Sequence, residues 1–372
     1  MRRIGYRLIA AFIAIGFLAA AGEPSPMLRR GINITHWFRY PPDRNPNALR
    51  SYIDDAMLEQ LRRLGFTFIR LPVQPSLLAS RDAISTAIAR VEQHGLAVVV
   101  ALFPDDWQLE SNTSDRSKLV ATWRSLAATL RQLHPRLTYP EILNEPVFST
   151  SPSAWWLLQH QALLAIREVL PKNTIVLTGA DWGSVTGLMA LPPEQDPNVV
   201  YTFHFYEPAE LTSLGAYRPR LDASAMALLP FPVNDESACA GKADGTPDKP
   251  TADLMRFYCA QHWDTARVRS RIAAAGAWAK RNHVAVIAAE FGASQNLNTA
   301  ARLAWLKTVR AACAEEGFGW ALWGYDDVMG FGIARPTGQA RIAPELLSAL
   351  GLSRPTSSNE ASPAGAQVRE PP

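Results

Sequence analysis

Two glutamates stand where the chain passes from an apolar run into a polar turn. Glu145 lies just after the apolar segment 138–143, and Glu290 directly follows the segment 284–289. A pair of carboxyl groups can divide the tasks of glycosidic bond cleavage, one protonating the leaving oxygen while the other attacks the anomeric carbon or activates water. The two roles require one carboxyl to be protonated and the other ionised. Glu145 and Glu290 are therefore candidate catalytic residues of a glycosidase.

Other polar and aromatic side chains stand at or just beyond the ends of apolar runs, namely Arg70, Asn144, His204, Tyr206 and Trp323. An arginine close to the pair would favour the ionised carboxyl. Alternative interpretations remain: an acid such as Glu145 can stabilise a helix N-terminus, and a lone histidine is more often a hydrogen-bonded core residue. The position of these residues after strands favours a functional site.

Several tryptophans lie near the same strand ends. Of the eleven in the chain, Trp37, Trp107, Trp182 and Trp263 can either carry a sugar ring or pack in the core, since an indole combines a large apolar face with one polar N–H. We take the first three as candidate substrate-binding residues.

The apolar runs before these residues repeat along the chain, with amphipathic helical segments between most of them. The runs are 30–35, 67–71, 97–103, 138–143, 175–178, 199–203, 284–289 and 319–323. Their continuous hydrophobicity is typical of a parallel sheet buried on both faces. Eight strands with seven crossovers predict an α/β fold, the closed (β/α)8 TIM barrel, whose active sites lie at the C-terminal ends of the strands. The alternative, an open doubly wound sheet, usually has a glycine-rich phosphate loop after its first strand, and residues 31–34 contain none.

The segment 207–262, which follows strand 6, is longer than an ordinary barrel loop. We expect this segment to form an ordered lid or groove wall. It contains Cys239 and Cys259, which can form a disulfide if the protein is exported. Cys313 lies in an apolar helical pattern, which predicts a buried free thiol. No Cys/His spacing indicates a metal site, and no cofactor is expected.

The N-terminus has the pattern of a secretory signal peptide: basic residues, the apolar run 8–20 and three small residues at 19–21. We therefore predict a signal peptide at 1–21, a catalytic domain at 22–352 and a disordered tail at 353–372, with the protein secreted or periplasmic. An uncleaved membrane anchor is the alternative. Cleavage would remove three arginines and no acid, leaving a formal charge of zero. A neutral chain gives no reason to expect nucleic acid or a membrane as partner, so we expect an uncharged substrate and a monomer.

The ordered motifs of the chain resemble those of glycoside hydrolase family 5, the cellulase family of retaining (β/α)8 enzymes. The matching motifs are Arg30-Gly31-Ile32-Asn33, Ile69-Arg70-Leu71-Pro72, Ile142-Leu143-Asn144-Glu145-Pro146, His204-Phe205-Tyr206, Glu290-Phe291-Gly292 and Trp320-Ala321-Leu322-Trp323-Gly324-Tyr325. They extend over about residues 29–350 in the order of the family. Asn-Glu-Pro alone would be weak evidence, whereas the ordered set is specific.

The resemblance implies a role for each matching residue. Glu145 would be the acid/base and Glu290 the nucleophile; Asn144 would bind the sugar 2-hydroxyl. Arg70 would keep Glu290 ionised and Tyr206 would orient it. By the same resemblance, His204 would contact Glu145 or the substrate, and Trp323 would stack under the sugar.

One position departs from the family pattern. Family members usually carry a histidine at the end of strand 3, where this chain has Phe103, followed by Asp105 and Asp106. Either aspartate could replace the missing polar contact, although such pairs are more often solvated loop residues. The departure bears on the identity of the sugar more than on the mechanism, because both glutamates are present.

The sequence therefore predicts a retaining endoglucanase that degrades β-1,4-glucan. The same mechanism acting on β-mannan, β-1,3-glucan, xyloglucan or an oligosaccharide is the closest alternative. A carbohydrate-binding protein on this scaffold without catalysis is an alternative of another class, and an anchored wall-remodelling protein is a third.

Overall fold

The protein is described by a computed structural model covering residues 24–218, 220–327, 329–333 and 342–353. The predicted signal peptide at 1–21 and residues 354–372 of the predicted tail lie outside these ranges. Within them, no helix combines the length and apolar character needed to cross a membrane.

Eight parallel strands form a closed barrel in the order in which they occur in the chain, which confirms the predicted (β/α)8 fold. The strands are Arg30–Ile34 (β1), Phe68–Val73 (β2), Ala97–Leu102 (β3), Thr138–Glu141 (β4), Ile175–Thr178 (β5), Val199–Phe205 (β6), Val286–Phe291 (β7) and Gly319–Asp326 (β8).

Helices surround the barrel and occupy the long connections. They are Thr35–Phe38 (α1), Pro46–Ser51 (α2), Asp55–Leu64 (α3), Arg81–Gln93 (α4), Thr113–Leu130 (α5), Pro152–Arg167 (α6), Val185–Ala190 (α7), Ala209–Thr212 (α8), Ala223–Met226 (α9), Glu236–Ala240 (α10), Lys249–Ala260 (α11), Thr265–Asn282 (α12), Thr299–Glu315 (α13) and Pro344–Ala349 (α14). Short 3-10 helices span Pro26–Leu28, Pro75–Ser80 and Gly241–Ala243.

Helix α3 illustrates how local sequence sets these boundaries. The Asp54 side chain accepts a hydrogen bond from the backbone N–H of Met57 at 2.7 Å and caps the first turn. Gly65 ends the helix at φ 99°, a left-handed conformation that glycine adopts without a steric penalty. Met57, Leu61 and Leu64 face the core between these two ends.

The core has two layers, one inside the barrel and one between the strands and the helices. The inner layer includes Phe68, Val99, Tyr139, Val176 and Ile287, each from a different strand. Two residues further along β2, β4 and β5, towards their C-terminal ends, the corresponding positions are polar, namely Arg70, Glu141 and Thr178. The barrel therefore supplies a dry base beneath a polar site.

The described residues of the connection after β6, on both sides of position 219, are ordered, as expected. They include α8 to α11, and a disulfide joins Cys239 to Cys259 across a sequence separation of 20. Cys313 is a buried free thiol, as the sequence predicts.

Candidate active site

A buried arginine organises the centre of the site. Arg70 on β2 is fully buried, and its guanidinium donates to both carboxylate oxygens of Glu141 on β4, each at 2.6 Å. It also donates to Asn33 Oδ1 at 3.0 Å and to Asn144 Oδ1 at 2.9 Å, and it forms an ion pair with Glu290. This network links strands β1, β2 and β7 with both β4 and the turn that follows it. The planar guanidinium of an arginine can pair with a carboxylate through two hydrogen bonds at once, which the ammonium group of a lysine does not match.

The charges around Arg70 favour its charged form. Burial alone would lower the pKa of Arg70, but the carboxylates of Glu141 and Glu290 raise it above its usual value. Arg70 is therefore a permanent cation beside Glu290.

A local irregularity between two strands turns Glu290 into the cleft. Phe203 pairs with Ala288, but the next residue on β6, His204, pairs with Glu290, so β7 has one extra residue at this point. A bulge of this kind re-aims the side chains that follow it. Tyr206 then donates its hydroxyl to Glu290 Oε2 at 2.9 Å.

Glu145 faces Glu290 from the turn after β4. Its backbone has φ 41°, in the left-handed region that non-glycine residues rarely adopt and that is frequent at functional sites. His204 Nδ1 lies 3.0 Å from Glu145 Oε1 and 3.5 Å from Glu290 Oε2. One ligand atom from each of these three side chains lies within 4.8 Å of the others. This spacing also matches that of a metal-binding group, and His204 Nδ1 already has Glu145 as a hydrogen-bond partner.

The two carboxylates also affect their neighbours. Burial would lower the pKa of His204, but the charges of Glu290 and Glu145 outweigh it and raise that pKa. Burial and the same two charges raise the pKa of Tyr206 well above its ordinary value. Tyr206 therefore keeps its proton and remains a hydrogen-bond donor to Glu290.

The tryptophans differ in their access to the cleft. Trp37 was predicted as a substrate-binding residue, and this prediction is wrong: the side chain is 0% exposed and its indole N–H donates to the carbonyl of Leu49 at 2.6 Å. Trp107 is half-buried against the core. Trp182 is 60% exposed, and its backbone N–H donates to the carbonyl of Pro146, next to Glu145, at 3.3 Å.

Trp323 lies in the floor of the site. It is 4% exposed and stacks on Phe103 with ring centroids 6.1 Å apart. Trp263, the remaining tryptophan considered from the sequence, is 8% exposed, and the guanidinium of Arg267 lies over its ring.

Three residues near the site were given no role by sequence reasoning. Glu141 and Asn33 are polar residues inside apolar strands, and Tyr217 lies in the long connection after β6. The ring of Tyr217 is exposed, but burial around its hydroxyl and the charges of Glu145 and Glu290 raise its pKa to about 12. A charged residue within an apolar strand could have drawn attention to Glu141, because a buried acid requires a partner.

Removing Glu141 tests the structural part of this network. We expect Glu141→Ala to lower the free energy of unfolding by about 3–5 kcal/mol, since it removes one partner of a fully buried ion pair. Urea unfolding followed by circular dichroism measures this change. The control Glu59→Ala, which removes an exposed ion pair with Arg62 and Arg63, should change stability little. Equal effects of the two substitutions would contradict the structural role of Glu141.

One family model matches most of the chain, and known proteins are similar to it. The family model described as Cellulase (glycosyl hydrolase family 5) matches residues 30–327. Endoglucanase 3 of Fibrobacter succinogenes is 28% identical over 331 residues, covering 80% of this chain and 49% of that protein. This chain thus spans about half the length of that relative.

Solved structures share the fold. The crystal structure of Thermotoga maritima Cel5A in complex with mannotriose superposes with a TM-score of 0.70 at 23% identity, covering 87% of this chain and 97% of that one. Cellulose synthase subunit Z (CcsZ) from Clostridioides difficile gives a TM-score of 0.68 at 21% identity, covering 87% of this chain and 99% of that one.

Proposed function

This chain belongs to glycosyl hydrolase family 5, the cellulase family, and from that premise we propose that it is a retaining, endo-acting hydrolase of β-1,4-linked glucan. Glu290 is the proposed nucleophile and Glu145 the proposed acid/base. Both face the same cleft at the C-terminal ends of the barrel strands, where barrel enzymes carry out their chemistry.

The spacing of the two carboxylates is the observation that carries the proposal. An oxygen of Glu145 lies within 4.8 Å of an oxygen of Glu290. Retaining glycosidases have their carboxyl groups about 5–5.5 Å apart, whereas inverting enzymes need about 6.5–9.5 Å to admit a water molecule between carboxylate and sugar. The short spacing supports direct attack by a carboxylate.

The proposed reaction has two steps. Glu290 attacks the anomeric carbon while the bond to the leaving oxygen breaks, and Glu145 gives its proton to that oxygen. Glu145 then removes a proton from water, which attacks the glycosyl-enzyme and releases Glu290. Paired carboxylates suffice for this chemistry, so the proposal involves no metal or organic cofactor.

The surrounding side chains hold the pair in position. Arg70 and Tyr206 bind one oxygen of Glu290 each, which fixes the orientation of the attacking carboxylate. Asn144 Oδ1 accepts from Arg70, so its amide NH2 is the group left to donate to the sugar 2-hydroxyl. We propose Trp323, Trp182 and Trp107 as sugar contacts, with His204 placed beside Glu145.

An activity survey tests this function. Wild-type protein should release reducing ends from soluble β-1,4-glucan, and the viscosity of the polymer should fall early because cleavage is internal. β-Mannan is the second substrate to assay, because Thermotoga maritima Cel5A has been crystallised with mannotriose; β-1,3-glucan and xyloglucan complete the set. Binding of these polymers without release of reducing ends would instead support a carbohydrate-binding protein.

Replacing Tyr206 tests the orientation of the nucleophile. We expect Tyr206→Phe to lower kcat on β-1,4-glucan by about tenfold to a hundredfold, since it removes a hydrogen bond to a charged group. The control Tyr258→Phe removes a hydroxyl that donates to the carbonyl of Pro230 at 2.6 Å, away from the two glutamates, and should leave kcat unchanged. A rise in KM with unchanged kcat for Tyr206→Phe would contradict its proposed role.

We further propose that the enzyme acts outside the cytoplasm as a monomer, with residues 1–21 removed as a signal peptide, 22–352 forming the catalytic domain and 353–372 forming a tail. The basic and apolar pattern at the N-terminus and the Cys239–Cys259 disulfide support this. N-terminal sequencing of exported protein should find a start near residue 22; a start at Met1 would favour a membrane anchor.

A further inference from the structure

An aromatic residue occupies the edge of the site at the end of β3. Phe103 is 3% exposed and forms a small apolar cluster with Ala101, Trp323 and Phe331, against which Tyr206 packs. The Arg70 guanidinium carbon lies 5.6 Å from the centroid of the Phe103 ring. The Phe103 ring thus lies beside the Arg70 network that holds Glu290. Its side chain has no hydrogen-bonding group.

A second arginine lies on this ring. The Arg39 guanidinium carbon is 4.0 Å from the centroid of Phe103 and 4.6 Å from that of Tyr40. Two aromatic faces at these distances fix the cation in place. The other contact of this ring places Arg39 at the edge of the cleft, because Phe103 stacks on Trp323 in the floor of the site. The charge of Arg39 also lowers the pKa of Tyr217, whereas the charges of Glu145 and Glu290 raise it.

The hydrogen-bonding capacity of Arg39 is incompletely used. Its Nε is buried and has no hydrogen-bond partner among the residues that the structure describes. Its ion pair with Asp105 is long, with Nη2 3.4 Å from Oδ1. Asp105 also accepts hydrogen bonds from Gln74 Nε2 at 2.5 Å and from the Tyr40 hydroxyl at 3.4 Å. Asp105 thus divides its carboxylate among three donors, and the Arg39 side chain, which is 18% exposed, retains capacity to pair with a ligand carboxylate.

We propose that Arg39 forms a subsite for a carboxylate carried by a glycosyl unit next to the one that is cleaved. A guanidinium matches a carboxylate through two parallel N–H···O bonds, a geometry that a neutral hydroxyl cannot reproduce. The preferred substrate is then a β-glucan with acidic units, such as uronic acids, although the chain as a whole is nearly neutral. This inference rests on the proposed hydrolase function and specifies its substrate class.

Defined oligosaccharides test the subsite. Cellotetraose is compared with the tetrasaccharides in which one glucose at a time is replaced by glucuronic acid. At one position the carboxylate should raise kcat/KM of the wild type about tenfold relative to cellotetraose. Arg39→Gln should abolish that gain, and Arg39→Lys should keep part of it because the charge remains. Raising the salt concentration should reduce the wild-type gain by screening the charge.

Arg44→Gln is the matched control, since it removes an exposed arginine of the same connection that contacts Gln74; the gain should survive in this variant. Thermal unfolding of Arg39→Gln tests whether the fold is intact. The inference is overturned if no position shows a gain, or if Arg39→Gln lowers kcat/KM for neutral and acidic tetrasaccharides in equal proportion. Failure of the wild type to cleave any tetrasaccharide or polymer would refute the proposed function itself.

Discussion

Glu290→Ala should lower kcat on soluble β-1,4-glucan by about 10⁴-fold or more, because removal of a nucleophile leaves binding and electrostatic effects to catalyse the reaction alone. The side chain is 3% exposed, and Arg70 and Tyr206 each contact one of its oxygens. No other carboxylate described near the cleft shares both contacts. Steady-state release of reducing ends measures the change.

Azide distinguishes loss of the nucleophile from loss of structure. In Glu290→Ala, the space left by the side chain should admit azide, which attacks the anomeric carbon directly and gives a glycosyl azide of inverted configuration. The control Glu168→Ala removes an exposed glutamate whose Oε2 lies 3.4 Å from Arg124 and should behave as wild type. Activity of Glu290→Ala close to that of the wild type, or an azide product of retained configuration, would exclude Glu290 as nucleophile.

Glu145→Ala should also lower kcat on β-1,4-glucan by several orders of magnitude. The size of this decrease should depend on the leaving group of the substrate. A sugar leaving group needs a proton from the acid, whereas a dinitrophenolate leaves without one. With dinitrophenyl β-cellobioside, formation of the glycosyl-enzyme should therefore remain fast, and a burst of dinitrophenol should precede slow hydrolysis.

With azide, Glu145→Ala should give a product whose stereochemistry is opposite to that of the product from Glu290→Ala. Azide would attack the glycosyl-enzyme formed on Glu290, needs no general base, and gives a product of retained configuration. Equal losses on glucan and on the dinitrophenyl substrate would mean that Glu145 does not act as the acid. The pair of azide products, inverted for one variant and retained for the other, assigns the two roles independently.

The sequence predicted the elements that carry the site because their signals are local. Continuous apolar runs marked the strands, and polar residues just after them marked the C-terminal face. Boundaries were less accurate: β4 was predicted to extend to residue 143 but ends at Glu141. The chain beyond it still pairs with its neighbours, since Ile142 N–H donates to the carbonyl of Val176 at 3.2 Å, so the difference is one of assignment.

The features that sequence reasoning missed depend on contacts between distant segments. Arg70 could be recognised as a partner for a carboxylate, but its bidentate partner Glu141 stands within a strand, and its burial is set by the closed barrel. Trp37 was misplaced because α1 begins directly after β1 and turns the indole into the core. The spacing of residues in the sequence also does not predict the extra residue in β7 near His204, and it does not predict that Arg39 stacks on Phe103.

Trapping the covalent intermediate tests the central claim most directly. A 2-deoxy-2-fluoro-β-cellobioside with an activated leaving group should inactivate the enzyme, because the fluorine slows both formation and hydrolysis of the glycosyl-enzyme, whereas the activated leaving group speeds only its formation. Digestion and mass spectrometry should then locate one cellobiosyl label on the peptide that contains Glu290, with the ester at that residue. A label on another residue, or turnover without a label and with inverted product, would contradict the two-carboxylate retaining mechanism.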